Sequence, residues 1–434
     1  MAHDKKGTAD MIALRQSMLK SGLLAITAVA AFSIPAAAKK ASASGPVIVM
    51  SEGFRAAAQA ADSAIKAGDV NTAQAQISGL TPTSDYEAYA AAGLRFELAV
   101  LKQNFQAQRV ALTDMFKTSS VPKKDAPRLR YVAGYLSYVV GNYDDAFAQL
   151  DYAKTLGYDG IDATMLRADI YLRKNKAKEA RPFVQDALAR QRASGQAVPA
   201  AWYDRAISLA YAAGDWAEVG SLYRQRLAHY GSAPEWRSAL ANYLTAPGTD
   251  AQPQLDLYRL QAANGAMASE RDYQAYAQLA EKAGNYAEAK AIIEAGRSAG
   301  KLTTTQAATA SLMKSVAPKA AKQIAALPAA AKKAAGAKDG SAALAVADSY
   351  FSLSQFPQAV EMYRLALSKG GVDQGKANAR LGIALARSGD LAGAKTALAQ
   401  VTGNWANVAG FWSVWVDQQS RKTAFQPMAV PPVS

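Results

Sequence analysis

The chain has 434 residues, with 49 Lys plus Arg, 35 Asp plus Glu, two His and no Cys. Half of it is apolar and only 19% is charged, so it can bury a large core and is neither a polytopic membrane protein nor a wholly disordered chain. The absence of Cys excludes disulfides, thiolate metal sites and Cys nucleophiles, and two His leave little room for His-centred catalysis or His-rich metal sites.

Residues 22–38 carry no charge, follow Lys20, and end in Ala36 and Ala38 after Pro35, with Lys39 and Lys40 beyond. A basic flank, a short apolar run and a small-residue exit are the pattern of a secretory signal peptide, assigned here to residues 1–38. An uncleaved membrane anchor is the alternative, although the run is short of the roughly 20 apolar residues a spanning helix needs. Met18, followed by Leu19 and Lys20, would open a more compact signal than Met1. Loss of residues 1–38 removes four bases and two acids and leaves a charge of +12. In an exported chain that charge favours acidic protein or other anionic partners, and export makes nucleic acid an unexpected one. Residues 39–50 read as a linker.

A short unit then recurs. Gly-Asn-Tyr-Asp-Asp-Ala at 141–146 returns as Gly-Asn-Tyr-Ala-Glu-Ala at 284–289, Gly-Asp-Trp-Ala-Glu-Val at 214–219, Ser-Gln-Phe-Pro-Gln-Ala at 354–359 and Gly-Asp-Leu-Ala-Gly-Ala at 389–394. Weaker copies start at 68, 103 and 175. Successive starts lie one period of roughly 35 residues apart, or two periods where degenerate repeats are expected near 249 and 319. In each unit Gly supplies positive φ to close a first helix, Asn or Asp caps a second, an aromatic packs between the two, and Ala allows close approach. The flanking stretches 128–140 and 143–156 show apolar residues at spacings of three and four. Such a pair cannot fold alone, so the pairs must stack.

These units resemble the tetratricopeptide repeat family over residues 51–402. The small residue seven before the turn is Gly134, Ala168, Ala277, Ala347 or Gly382, and the Ala five after it is Ala73, Ala146, Ala180, Ala289, Ala359 or Ala394. Four before the turn the family wants an aromatic or large residue, which Tyr171, Tyr350 and Leu385 supply and Ser137, Ala210 and Ala280 do not; Val219 departs from the Ala, and the family's helix-ending Pro is mostly missing. The resemblance implies an all-α, right-handed solenoid of stacked helix-turn-helix repeats. Residues 403–420, with Trp405, Phe411, Trp412 and Trp415, read as a C-terminal capping helix, and Pro-containing residues 421–434 as a disordered tail. Segment 314–340 is Ala- and Lys-rich, with Pro318 and Pro328 expected to break it. It reads either as a basic contact for an anionic surface or as a shortened repeat with a solvated Lys face.

Little here points to catalysis, a cofactor or a metal. After export only His229 remains, near a helix end where a cation is ordinarily structural. Asp144 and Asp145 fall at the repeat turn, where acids start a helix, rather than forming an acid–base pair. No nucleotide, serine-hydrolase or zinc-peptidase motif is present. The resemblance implies instead a groove lined by first helices that receives a protein or peptide. Arg128, Tyr131, Tyr135 and Tyr138 share one helix face by their spacing, and Arg205, Arg271, Gln274, Lys376, Arg380 and Arg387 stand at matching positions elsewhere. The family's carboxylate clamp is absent, because its Lys and Asn positions hold Tyr131, Tyr135, Met165 and Asp169. The expected function is a non-catalytic periplasmic scaffold in cell-envelope assembly. The rivals are a factor that binds envelope glycan through the tyrosines and a membrane-anchored structural bridge.

Overall fold

In a computed structural model of the chain, residues 50–244 and 250–424 are described. The assigned signal peptide, most of the linker and residues 425–434 lie outside them. The chain forms two compact units, one up to Gln196 and one from Ala197.

The first unit consists of four helical hairpins: α1 (Glu52–Ala67) with α2 (Val70–Ser78), α3 (Asp85–Leu101) with α4 (Phe105–Phe116), α5 (Ala126–Val139) with α6 (Tyr143–Thr155), and α7 (Ile161–Arg173) with α8 (Ala177–Ala193). The second contains α9 (Ala200–Ala212), α10 (Trp216–Tyr230), α11 (Ala233–Tyr243), α12 (Ala251–Ala263), α13 (Glu270–Lys282), α14 (Tyr286–Ser298), α15 (Ala307–Ala335), α16 (Ser341–Ser352), α17 (Phe356–Lys369), α18 (Gln374–Arg387), α19 (Leu391–Ala399) and α20 (Ala406–Ala424). No strand occurs among the described residues.

All eight turn starts read from the sequence adopt positive φ: Gly at 68, 141, 214, 284 and 389, and Gln103, Asn175 and Ser354. The next residue's amide returns to the carbonyl five residues back, as in Asn142 to Ser137 at 2.8 Å and Asp215 to Ala210 at 2.9 Å. This bond satisfies carbonyls that the helix end would otherwise strand. Asp69, Asn104, Asn142, Asp215 and Asp390 then cap the following helix by accepting an amide three residues on. The turn aromatic packs on a ring five residues before it: Tyr138 with Tyr143, Tyr211 with Trp216, Phe351 with Phe356. The small positions are sterically required. A Cβ at Gly382 would stand 2.6 Å from Leu398 Cγ, and one at Gly134 3.1 Å from Leu150 Cγ. In the hairpin starting at 103 the usual Ala is Gln108, buried and donating to the Ala99 carbonyl at 3.3 Å.

Three expectations need correction. The degenerate repeat near 249 is a helix pair, but there is no turn near 319: residues 307–335 form one continuous helix, α15. Pro318 and Pro328 do not break it. Both are exposed, so each interruption of the hydrogen-bond ladder falls on the solvent side, where water can serve the freed carbonyl. Finally, α20 does more than cover the last hairpin, and it continues to Ala424, into the segment read as tail.

Helix α20 packs on α19 and α18 and also on α10 and α12 of the same unit. Phe411, Trp412 and Val416 are at most 1% exposed. Phe411 meets Tyr243, Trp412 donates to the Asp256 carbonyl at 3.1 Å, and Gln418 bridges Trp236 and the Leu227 carbonyl. Fully burying an aromatic or branched side chain contributes roughly 1.5–3 kcal/mol. Helix α20 is therefore a core element of its unit and no loosely held terminus.

Candidate functional site

Stacked helical hairpins present the surface of their first helices as one extended face. In the first unit the position six residues before each turn carries Asp62 on α1, Glu97 on α3, Tyr135 on α5 and Asp169 on α7. All four are partly exposed. Asp62 and Lys66 form an ion pair at 2.6 Å. Glu97 lies in the field of both residues, and α1 packs on α3, so the first two members of this row come together. Burial, reinforced by Asp62 and opposed by Lys66, pushes the Glu97 carboxyl up to about 8. Its Oε1 is buried and has no hydrogen-bond partner among the described residues. A buried acceptor without a partner, on a carboxyl raised this far, is an unsatisfied polar feature of this face.

The neighbouring candidates divide between surface and core. Tyr131 is 7% exposed and stacks on Tyr158 with ring centroids 4.9 Å apart, within the core of its unit. Burial first, then Asp162, raises its phenol well above the ordinary value. It is a packing residue, and its assignment to a binding face is corrected. Tyr138 packs on the turn ring of Tyr143 and receives Arg173 Nε at 3.5 Å. Arg128 and Tyr135 remain half-exposed on α5. Glu97 was missed because sequence spacing flagged aromatics and cations, whereas an isolated Glu on an apolar helix carries no distinctive pattern. Its recurrence in phase with Asp62 and Asp169 was the available signal.

A cavity of about 350 Å³ in this unit is lined by Leu150, Lys154, Tyr158, Thr164, Arg167 and Arg190. Two of its cations are already engaged: Arg167 with Asp151, and Arg190 with Asp159 and Asp186. The arrangement holds the unit together more readily than it binds an anion.

In the second unit the chain itself occupies the faces of α16 and α18. Arg380 is 1% exposed. It pairs with Asp256 at 3.2 Å and Asp348 at 2.7 Å and donates to Gln252 at 2.6 Å. Lys376 pairs with Asp348 at 2.8 Å. Arg259 forks onto Glu288 at 2.7 and 2.6 Å and also contacts Asp256. Tyr276 and Asn285 donate to the same two Glu288 oxygens that Arg259 engages, and Tyr363 donates to the Asp348 oxygen that faces Arg380. Three acids and three cations thus cancel inside one network that joins α12 to α18. Burial works against the charge of Arg380, but Asp256 and Asp348 outweigh it and hold the guanidinium above its ordinary range. Burial likewise opposes the Asp348 charge, yet Arg380 and Lys376 bring that carboxyl down to about 2. Arg380 as a partner anchor is therefore corrected: its charge is spent internally, and Lys376 serves the same network. Arg387 stands over the Phe356 ring at 5.3 Å. Arg205, Arg271 and Gln274 lie on α9 and α13, outside the buried cluster; Arg271 is exposed, and the other two are half-buried.

No protein-family model matches the sequence, and none of the curated proteins matches it. Among solved structures, the chain is similar to the TPR2AB domain of yeast Sti1 in a pHSP90 complex, at 16% identity over 69% of this chain and 99% of that one, with a TM-score of 0.24. It is also similar to the pentatricopeptide repeat protein PPR10 from maize, at 13% identity over 96% and 66%, TM-score 0.29. The P58(IPK) TPR domain matches at 12% identity over 85% and 99%, TM-score 0.24. At these scores the likeness carries no weight; the repeat assignment rests on the turns, caps and packing described above.

Proposed function

We propose that the chain is a non-catalytic scaffold whose first unit receives a protein or peptide on the row formed by Asp62, Glu97, Tyr135 and Asp169. The observation that carries this reading is Glu97, held partly dry with an unfilled acceptor amid a recurrent polar row, while Asp348, which stands at the same repeat position in the second unit, is satisfied internally by Arg380 and Lys376. A partner presenting an ammonium, a guanidinium or another donor at Glu97 would complete it. This local chemistry argues against the acidic partner expected from net charge alone. The signal-like residues 22–38 support export to the periplasm and a role in envelope assembly.

The test is crosslinked co-purification from the native envelope, with the chain beside a variant carrying E97Q, Y135A and D169N. Tyr131 and Arg380 are left intact because their loss would perturb the core. A discrete partner captured by the chain and lost in the folded variant supports the reading. Equal capture by both removes the row from consideration. Binding of envelope glycan that depends on Tyr135 and needs no protein would instead favour the glycan-binding alternative.

A further inference from the structure

Residues 295–338 contain eight Lys and Arg and no Asp or Glu. Most of this stretch is α15, whose 29 residues extend about 43 Å at 1.5 Å per residue. Its inner side buries Thr309, Val316, Ala320, Leu327 and Ala334. On its outer side Lys314, Lys322, Lys332 and Lys333 are exposed and form no ion pair or hydrogen bond among the described residues. Lys319, by contrast, reaches Glu281 at 3.8 Å and the Tyr286 ring at 4.9 Å. Between the free lysines the exposed surface is methyl and pyrrolidine: Pro318, Ala321, Ala325, Pro328 and Ala329, with Ile324 at 49% exposure.

This composition discriminates among anionic partners. Recognition of carboxylates or phosphates one at a time favours the Arg fork, and single-stranded nucleic acid favours aromatic platforms. The outer face of α15 has neither. Lysine offers a point charge on an aliphatic stem, which can lie along apolar surface while the ammonium reaches a headgroup. A long helix with lysines distributed along its outer side and small apolar residues between them matches a broad, laterally mobile anionic plane. Its exposed apolar groups are too small for deep insertion, so the contact is peripheral and electrostatic. We propose that the outer face of α15 docks on an anionic lipid bilayer.

The chain has no Cys, so A325C gives a unique attachment point for an environment-sensitive fluorophore on this face. Labelled full-length chain is mixed with vesicles of equimolar phosphatidylglycerol and phosphatidylcholine, or of phosphatidylcholine alone. The proposal expects a blue shift with the anionic vesicles only, reversed by high salt. It also expects apparent affinity to fall about a hundredfold or more when Lys314, Lys322, Lys332 and Lys333 are all changed to Gln. Those four residues are exposed and unpaired, so circular dichroism should show the variant folded. Vesicle binding without a signal at position 325 would assign the contact elsewhere, including residues 1–49, and overturn the proposal. An unchanged response in the four-Gln variant, or an equal shift with polyglutamate or RNA in place of vesicles, would overturn it as well.

Discussion

Replacing Arg380 with Met tests the buried network most sharply. The side chain is 1% exposed and bonds Asp256, Asp348 and Gln252. Met fills similar volume without charge or donors, so the change isolates electrostatics from cavity formation. Removing one partner of a buried ion pair generally costs about 3–5 kcal/mol, because the other charge is left uncompensated. Here Asp256 keeps Arg259, and Asp348 keeps Lys376 and Tyr363. The expected loss is therefore about 3 kcal/mol, near the lower end. Urea unfolding followed by Trp emission is suited to the measurement, because Trp405, Trp412 and Trp415 all lie in this unit and are buried. Adding D256N to R380M should return part of the loss, since the uncompensated acid is then neutral. A loss below about 1 kcal/mol, or a double variant whose cost is the sum of the singles to within about 0.5 kcal/mol, would refute the claim that these charges support one another.

Five further outcomes are expected. Trp412→Ala should cost about 3–5 kcal/mol by emptying the site where α20 meets α12, read by the same unfolding assay. Gly382→Ala should destabilise by about 1–3 kcal/mol, because the new Cβ collides with Leu398, whereas Gln103→Gly should stabilise by a few tenths to about 1 kcal/mol by relieving positive φ. The raised Glu97 carboxyl binds its proton more tightly when folded than when unfolded. Stability should therefore fall as pH rises from about 4.5 towards 8, and E97Q should flatten that slope, stabilising by on the order of 2–4 kcal/mol at pH 8 and by little at pH 4. Asp348 has the opposite sign: its contribution is complete above its ordinary carboxylate range and is lost as pH falls towards about 2, so acid unfolding should begin earlier in a variant lacking Lys376.

The repeat was legible because its signals are local. A Gly or Asn at the turn, a capping Asp or Asn, and a small residue where two helices touch each act within a short stretch of chain. All eight turn starts took the backbone conformation that this chemistry demands. Departures also stayed local: Gln103, Asn175 and Ser354 replace Gly yet keep positive φ. Long-range partners were not legible. Arg380 and Asp256 are 124 residues apart, and nothing in either helix announces the other. At inner positions the same Arg would read as a groove anchor or as half of a buried pair, and only the placement of α12 and α16 decides. Tyr131 shows the same ambiguity, since a stripe at helical spacing marks a face without saying whether another helix covers it. The continuous course of α15 was hidden for a third reason. The rule that Pro breaks a helix weighs the hydrogen bond lost at Pro318 and Pro328, while the exposure that makes its loss tolerable is a tertiary property.

Photo-crosslinking residues placed singly at Gly93, one turn before Glu97 with open space around an added side chain, and at Tyr135, Arg271 and Arg387 test the row most directly on irradiation of the native envelope. One discrete adduct is expected from the Gly93 and Tyr135 positions and none from Arg271 or Arg387. Adducts confined to Arg271 and Arg387, with none from the first unit, would contradict the proposal.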